Sequence, residues 1–395
     1  MTRVLLLTGK GGVGKTTIAA ATAVHAARAG HRVLLTSTDP AHSLADVLGV
    51  PLGDTPRAVE PGLDAQQLDA QVRLEAHWSD VRAFLVGMLH AGGLGEVQAE
   101  ELMLLPGLDE LFALIDLQAR AASGDHDVIV VDCAPTAETL RLLALPDALR
   151  WYIDRIIGPG RGLARAVAPV ARAVGGFAMP DENVLGAVDR LQRDLATVHT
   201  LLRDRTRTSM RLVTNPERLA LDETQRLWTS LSLFGYAVDA VVVNRVLPDV
   251  VHDPYLARWK QRHAEHLATA RDTFSPLPVL VSHLHEDEPI GPDALAELAG
   301  LLYGELDPTV VLHDAPGPSV VTSDEGWVLR LALPLATRED VDVARRGGDL
   351  HVRAGGTHRT VPLPARLRRC RVTGAGMHDG VLEVRFADVN PAAAS

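Results

Sequence analysis

The chain has 395 residues, a hydrophobic fraction of 47%, a charged fraction of 23% and a formal net charge of -11. This composition is typical of a globular protein with room for two domains, and the acidic surplus argues against a main task in nucleic-acid binding. Two cysteines, Cys133 and Cys370, are too few for a disulfide framework, and no apolar stretch reaches the length of a membrane span. We therefore expect a cytoplasmic location.

The N-terminal segment contains an apolar run, a glycine-rich loop and an alanine-rich run, in that order. Residues 4–7 predict a strand, residues 18–29 predict a helix, and the sequence TGKGGVGKTT lies between them. This GxxxxGKT pattern predicts a phosphate-binding loop, because backbone N–H groups and a helix N-terminus then surround one anionic pocket. We expect Lys15 to reach the β- and γ-phosphates and the Thr16 hydroxyl to bind Mg²⁺. The predicted nucleotide-binding residues of this loop are Gly11, Gly12, Val13, Gly14, Lys15, Thr16 and Thr17.

Lys10 is a second lysine in the same loop. Such a lysine is typical of the deviant P-loop, in which it reaches across a dimer interface to the phosphates of the partner. There it meets the negative charge that develops in phosphoryl transfer, as an arginine finger does elsewhere. Lys10 therefore indicates a homodimer that closes over ATP, and the alternative is a surface lysine beside the loop.

Two further strands are predicted to end in acidic residues. Residues 31–36 form the first, and Asp39 follows it, where a carboxylate can orient the attacking water or cap the helix that begins near Leu44. Residues 126–131 form the second, which ends in Asp132. Four apolar residues before an aspartate, downstream of a P-loop, predict the Walker B carboxylate that holds Mg²⁺ directly or through water. Cys133 is expected to be a small buried residue.

Three motifs in order resemble one family. GKGGVGKTT, STDPAHSLAD (37–46) and DCAPTAETLRLL (132–143) are similar to the ATPases of the arsenical-pump (ArsA) and guided-entry-of-tail-anchored-proteins family, over roughly residues 1–304. The resemblance implies a mostly parallel α/β sheet flanked by helices and Mg²⁺-dependent ATP hydrolysis. It implies that Lys10 is the intermonomer lysine, Asp39 the catalytic switch I aspartate and Asp132 the start of switch II. VVVNRVLP (241–248) resembles the segment whose asparagine contacts adenine, which here is Asn244.

Segments between these motifs are helical in pattern and richer in apolar residues than surface helices need. Such faces can form a groove for another apolar helix, or can pack on one another. Targeting members of the family hold a transmembrane helix in a composite groove across the dimer, so we expect clients with apolar helices and membrane contact only through them. The predicted groove residues are Phe84, Met88, Leu102, Met103, Leu105 and Phe112.

Three departures from the family bear on function. The zinc-binding CxxC pair of the eukaryotic-type targeting ATPases is missing, so the dimer must rest on nucleotide and apolar contacts. Arsenite binding needs several thiolates that converge on one site, and the two cysteines of this chain, Cys133 and Cys370, are too few. Pump subunits carry two ATPase halves in one chain, whereas this chain has a single P-loop. Two copies of this chain must therefore supply the two halves.

The pattern changes after Asp307. A linker at 308–318 precedes residues 319–388, where apolar residues alternate with polar ones and glycine turns separate the runs. This pattern predicts a small antiparallel β-sandwich that resembles the α-crystallin domain of small heat-shock proteins. It can bind clients along its edges or serve as a passive appendage, and residues 389–395 are predicted to form a disordered tail.

These observations predict a homodimeric ATPase that binds hydrophobic segments, with tail-anchored membrane proteins as candidate clients. Two alternatives remain open. One is an ATPase associated with an anion (arsenite) pump, and the other is a partition or septum-placement ATPase. The histidine pairs 263/266 and 283/285 give only a weak indication of a metal site.

Overall fold

The structure is a computed structural model that describes residues 1–39, 43–68, 108–133, 182–314, 316–323 and 326–388. It comprises an N-terminal α/β domain and a C-terminal all-β domain. Among the described residues, no helix combines the length and apolar character that crossing a bilayer requires.

An eight-stranded sheet forms the centre of the N-terminal domain. Its strand order is β3-β4-β2-β5-β1-β6-β7-β8, and every neighbouring pair is parallel except β3–β4. The strands are β1 (Arg3–Thr8), β2 (Val33–Ser37), β3 (Arg57–Glu60), β4 (Leu63–Gln67), β5 (Val128–Asp132), β6 (Thr208–Thr214), β7 (Val238–Val246) and β8 (Val279–His283). The three strands predicted around the motifs are confirmed, with β2 and β5 shifted by one or two residues. The sequence analysis did not predict the antiparallel strands β3 and β4 at one edge of the sheet.

Helices cover the sheet on both sides. They are α1 (Lys15–Arg28), α2 (Ser43–Leu48), α3 (Leu108–Ser123), α4 (Glu182–Arg203), α5 (Arg218–Phe234), α6 (Pro254–Phe274) and α7 (Pro292–Tyr303). Alanine-rich α1 packs with α7 on one face, around Leu5, Leu7 and Val213. The apolar sides of α3, α4 and α5 pack on the other face. Burial on both faces explains why the central strands are continuous apolar runs.

The C-terminal domain is a β-sandwich, as its period-two pattern predicted. One sheet has the order β14-β15-β10-β9 and the other β11-β12-β13. The strands are β9 (Ser319–Ser323), β10 (Gly326–Ala332), β11 (Val341–Arg346), β12 (Asp349–Ala354), β13 (Thr357–Pro362), β14 (Cys370–His378) and β15 (Val381–Asp388), with a short helix α8 (Ala365–Arg368). Leu350, Val352, Val384 and Phe386 lie in its buried core.

Helix α5 belongs to both hydrophobic cores. Its residues Leu227 and Leu231 pack in the core of the N-terminal domain, whereas Leu233 is fully buried among the residues of the sandwich core. Arg359 of β13 donates to the Leu233 carbonyl, and the Thr229 hydroxyl donates to the Pro334 carbonyl at 2.6 Å. The two domains are therefore joined through one helix.

The segment after α7 is also fixed to the central sheet. Arg3 Nε donates to the Thr309 carbonyl at 2.9 Å, and Arg211 Nη2 donates to the Val310 carbonyl at 3.3 Å. Arg211 is fully buried and pairs with Asp239 at 3.2 Å. A buried ion pair needs such additional partners, because desolvation of two charges is costly.

Several predictions fall outside the described residues. The groove residues Phe84, Met88, Leu102, Met103 and Leu105 lie there, as does the C-terminal tail. Phe112 lies on α3, but its side chain is outside the described part. The client groove thus stays a prediction.

Candidate functional site

The predicted site residues follow adjacent strands at the carboxyl edge of the parallel sheet. Leu7, the penultimate residue of β1, lies beside Asp132 at the end of β5, and Ser37 at the end of β2 lies on the other side of Asp132. This strand order brings Asp132 next to Thr16 and Ser37, which lie 116 and 95 residues before it in the sequence. Ligands of open α/β sheets bind at this edge.

Two glycines of the loop, Gly9 and Gly14, are required by close packing. A Cβ on Gly9 would lie 2.1 Å from the Val213 carbonyl oxygen, and one on Gly14 would lie 2.4 Å from Asn244 Nδ2. Gly14 also has a φ of 89°, in the left-handed region that favours glycine. The loop can therefore approach β6 and β7 only without side chains at these two positions.

Helix α1 begins at Lys15, directly after Gly14. Its first turn carries no acidic residue in the sequence, and Gly14 has no side chain with which to cap the free N–H groups. Lys15 is 5% exposed, and its Nζ donates to the Lys10 carbonyl at 3.3 Å. A helix N-terminus with a buried ammonium group beside it fits a phosphate group.

Asp132 is the centre of a buried hydrogen-bond cluster. Thr16 Oγ1 donates to Asp132 Oδ2 at 2.8 Å, and Ser37 Oγ donates to the same oxygen at 3.2 Å. Thr16 Oγ1 also lies 3.1 Å from Ser43 Oγ. The Ser37 and Ser43 hydroxyls thus contact the two predicted magnesium ligands, Asp132 and Thr16, and the sequence predicted neither contact.

Burial raises the pKa of Asp132 to about 6, although the Thr16 hydrogen bond and the Lys15 charge lower it. Its second oxygen, Oδ1, is buried without a hydrogen-bond partner among the described residues. An unsatisfied carboxylate oxygen beside a threonine hydroxyl fits a hard cation such as Mg²⁺, which prefers oxygen ligands. When bound, the cation would neutralise phosphate charge, and Thr16 and Asp132 would hold it.

Asp39 and Lys10 lie near this cluster. The Asp39 backbone N–H donates to Ser37 Oγ at 3.2 Å, which places Asp39 just beyond the carboxyl end of β2. Helix α2 begins four residues later, at Ser43. Lys10 is at the surface, with a 41% exposed side chain whose Nζ lies 3.9 Å from Glu223 Oε2. The roles predicted for both residues remain predictions.

Asn244 lies beside the loop, near the end of β7. Its Nδ2 donates to the Val13 carbonyl at 2.9 Å, and its Oδ1 accepts from the Arg245 backbone N–H at 2.9 Å. Asn244 and Thr17 line a cavity of about 550 Å³ whose far wall is the segment 283–290. The position and size of this cavity suit a nucleoside base.

Other predicted features have clear places in the fold. Cys133 is fully buried, and burial raises the pKa of its thiol, as expected for a small core residue. His263 Nδ1 accepts from the Leu247 N–H at 3.2 Å, which gives this histidine a structural partner. Among the residues that the structure describes, no group of three or more His, Cys, Asp and Glu side chains could hold a metal ion.

Comparison with known proteins agrees with this geometry. The profile of the anion-transporting ATPase family matches residues 2–304, and that of an HSP20-like domain found in ArsA matches residues 324–386. A protein of Chlorobaculum tepidum, provisionally named an arsenical pump-driving ATPase, is 35% identical over 387 residues, which are 97% of this chain and 96% of that protein.

Two further relatives also match this chain over almost their whole length. A protein of Aquifex aeolicus with the same provisional name is 34% identical over 376 residues, covering 93% of this chain and 95% of its own length. An uncharacterized protein of Streptomyces coelicolor is 39% identical over 386 residues, covering 98% and 97%. The chain belongs to the ArsA family of anion-transporting ATPases, with an HSP20-like domain at its C-terminal end, and it hydrolyses ATP.

Proposed function

We propose that the chain works as an ATP-gated homodimer that binds hydrophobic helical segments of client proteins and hands them on. The triphosphate of ATP lies over the loop at residues 11–16, and the base lies in the cavity beside Asn244. Thr16 and Asp132 hold Mg²⁺, directly or through water. The unsatisfied Asp132 Oδ1 and the free N-terminus of α1 support this placement.

The observation that carries the dimer is the different exposure of the two loop lysines. Lys15 is 5% exposed beside the helix N-terminus, whereas the side chain of Lys10 is 41% exposed on the outer side of the loop. A cation that faces outward can enter the nucleotide site of a second copy. In the proposal Asp39 orients the attacking water, and Lys10 of the partner subunit stabilises the charge that develops on the phosphates.

Client binding rests on the family resemblance and the apolar helical pattern. ATP would favour a closed dimer and hydrolysis an open one, so the apolar region between the switches would change shape with the cycle. Tail-anchored membrane proteins are the proposed clients, reached from the cytoplasm. The sandwich packs against α5, and Glu223 of α5 pairs with Lys10. A movement of Lys10 during the ATP cycle would therefore reach the sandwich through α5.

The names of the relatives favour a second candidate, an arsenical pump-driving ATPase. Arsenic(III) requires converging thiolates. The two cysteines of this chain are both buried and lie in different domains, Cys133 after β5 and Cys370 at the start of β14. This arrangement supports the hydrophobic client over arsenite. A partition-type switch is a weaker alternative, because the region after the ATPase domain is a β-sandwich.

A binding experiment with the full chain separates these candidates. The Asp39→Asn variant is expected to bind ATP without hydrolysing it, and should retain a fluorescent peptide that carries one apolar transmembrane helix. Retention should fall with ADP and with a peptide of equal length carrying a polar sequence. Polar substitutions at Phe84, Leu105 and Phe112 should abolish it. Equal binding of both peptides, or stimulation of ATP hydrolysis by arsenite with no peptide binding, would reject the proposal.

A further inference from the structure

Arg245 has a backbone conformation that its side-chain type does not favour. Its φ is 60°, and among the described residues only Leu335 and Asp379 are other non-glycine residues with a positive φ. The left-handed region is sterically unfavourable for a residue with a Cβ. Such strain persists only when the surroundings enforce it, and it is concentrated at functional sites.

The exposed side chain of Arg245 contacts the phosphate-binding loop. Arg245 Nη1 donates to the Gly12 carbonyl of the phosphate-binding loop at 3.0 Å. The same residue lines the proposed base cavity together with Asn244. The guanidinium group therefore links the end of β7, beside the cavity, to the phosphate-binding loop.

The backbone of Arg245 has a separate effect on Asn244. The Arg245 N–H donates to Asn244 Oδ1, and the Val13 carbonyl accepts from Asn244 Nδ2. A flipped amide would set nitrogen against the N–H and oxygen against the carbonyl, which is unfavourable at both ends. These two backbone groups fix which end of the amide is the acceptor.

This orientation leaves one N–H and one oxygen lone pair of Asn244 for a ligand. Adenine offers N7 as acceptor and its N6 amino group as donor, a pair that an asparagine amide matches. Guanine offers two acceptors, N7 and O6, which a fixed amide cannot satisfy. Guanine is opposed by the amide oxygen in either orientation, whereas a reversed amide would oppose both groups of adenine, so the preference for adenine depends on the orientation.

We propose that Arg245 is a positioning residue for nucleotide selection: its left-handed backbone, held by the bond to Gly12, locks the Asn244 amide in the orientation that accepts adenine and rejects guanine. The inference rests on the proposed placement of the base and is independent of the proposed client. It assigns the selection to the backbone N–H of Arg245, with the guanidinium group acting only to hold that backbone.

Three variants separate backbone from side chain. Arg245→Ala keeps the steric cost of a positive φ but loses the bond to Gly12, so the backbone should relax and release the Asn244 amide. Arg245→Gly also loses the guanidinium group but adopts a positive φ freely, so the amide should stay fixed. Asn244→Ala removes the proposed contact itself. Arg245→Leu, which keeps an apolar stem without donors, replaces Arg245→Ala if that variant does not fold.

The measurement is the ratio of kcat/KM for ATP to kcat/KM for GTP. We expect a parental preference for ATP that falls at least tenfold in Arg245→Ala and in Asn244→Ala, and that stays within threefold in Arg245→Gly. A parental ratio in Arg245→Ala alongside a loss in Asn244→Ala overturns the inference alone. So does an equal loss in Arg245→Gly and Arg245→Ala, since the guanidinium group would then select the base. A preference retained in Asn244→Ala, or absent from the parent protein, overturns the inference together with the proposed base contact.

Discussion

Thr16 Oγ1 donates a hydrogen bond of 2.8 Å to Asp132 Oδ2, so the first turn of α1 is joined directly to the end of β5. These are the two residues that the sequence assigned to Mg²⁺. The contact has both groups in place before the cation arrives, and the buried Asp132 Oδ1 has no partner among the described residues. A prearranged pair of oxygen ligands reduces the reorganisation that metal binding requires.

The Thr16→Val substitution should lower kcat by about 100-fold, because valine has the shape of threonine without the hydroxyl that binds the cation. Thr16→Ser is the matched control and should stay within about threefold of the parent. Phosphate release measured against Mg²⁺ concentration checks both. Hydrolysis by Thr16→Val at more than a tenth of the parental rate would show that the hydroxyl has no such role.

The His263–Leu247 contact should depend on pH. Desolvation lowers the pKa of His263 below its usual 6.5, so the folded state favours the neutral ring, whose Nδ1 accepts the Leu247 N–H. The stabilisation is therefore present above pH 6.5 and is lost as the pH falls through the lowered pKa. Hydrogen exchange at the Leu247 amide, corrected for the intrinsic rate, should show protection that decreases on acidification.

His263→Asn provides the control for that measurement, since an asparagine oxygen can accept the same hydrogen bond without titrating. Its Leu247 amide should be protected to a similar degree at pH 7.5 and pH 5. Protection in the parent protein that does not change over this range would contradict the predicted titration.

The sequence indicated which residues would lie together at this candidate site, because the motifs that contain them are typical of nucleotide binding. A GxxxxGKT loop needs its glycines and lysine, and an aspartate after a buried strand downstream of it is a recognisable magnesium ligand. Glu223 and Arg245 carried no such signal. Their contacts with Lys10 and Gly12 depend on which strands are neighbours, and residue type alone does not indicate a positive φ in an arginine.

The sequence also did not indicate how the two domains contact each other. The alternating pattern at 319–388 predicted a sandwich, but it did not indicate what the sandwich packs against. Leu233 has the apolar spacing of any amphipathic helix, and only the structure shows that it enters the second core rather than the first. The edge strand β3 and its buried neighbour β4 were missed because neither Arg57–Glu60 nor Leu63–Gln67 has a continuous apolar run.

Leu233→Ala should destabilise the protein by about 2–5 kcal/mol, the usual cost of a cavity at a fully buried leucine. The free energy of unfolding should decrease for the C-terminal domain, since Leu233 packs in the core of that domain. Leu219→Ala, on the same helix at a position that is 70% exposed, should change stability little. Denaturant unfolding followed by tryptophan fluorescence checks the pair, and equal effects would refute the shared-helix arrangement.

In the proposed dimer, each ATP is contacted by Lys15 of the subunit that binds it and by Lys10 of the other subunit. Lys10→Ala should keep its own nucleotide pocket but give its partner no cation, and Lys15→Ala should lose its pocket but still supply Lys10. Each variant alone should therefore hydrolyse ATP roughly 1,000-fold more slowly than the parent. In a mixed dimer, one complete site would form.

Mixing Lys10→Ala and Lys15→Ala in equal amounts, with time for subunit exchange, and measuring ATP hydrolysis is the most direct test of this account. Random pairing puts one working site in half of the dimers, so the mixture should recover about a quarter of the parental activity. A mixture as inactive as its components, or a Lys10→Ala protein that hydrolyses ATP at the parental rate, would contradict the transfer of a cation between subunits.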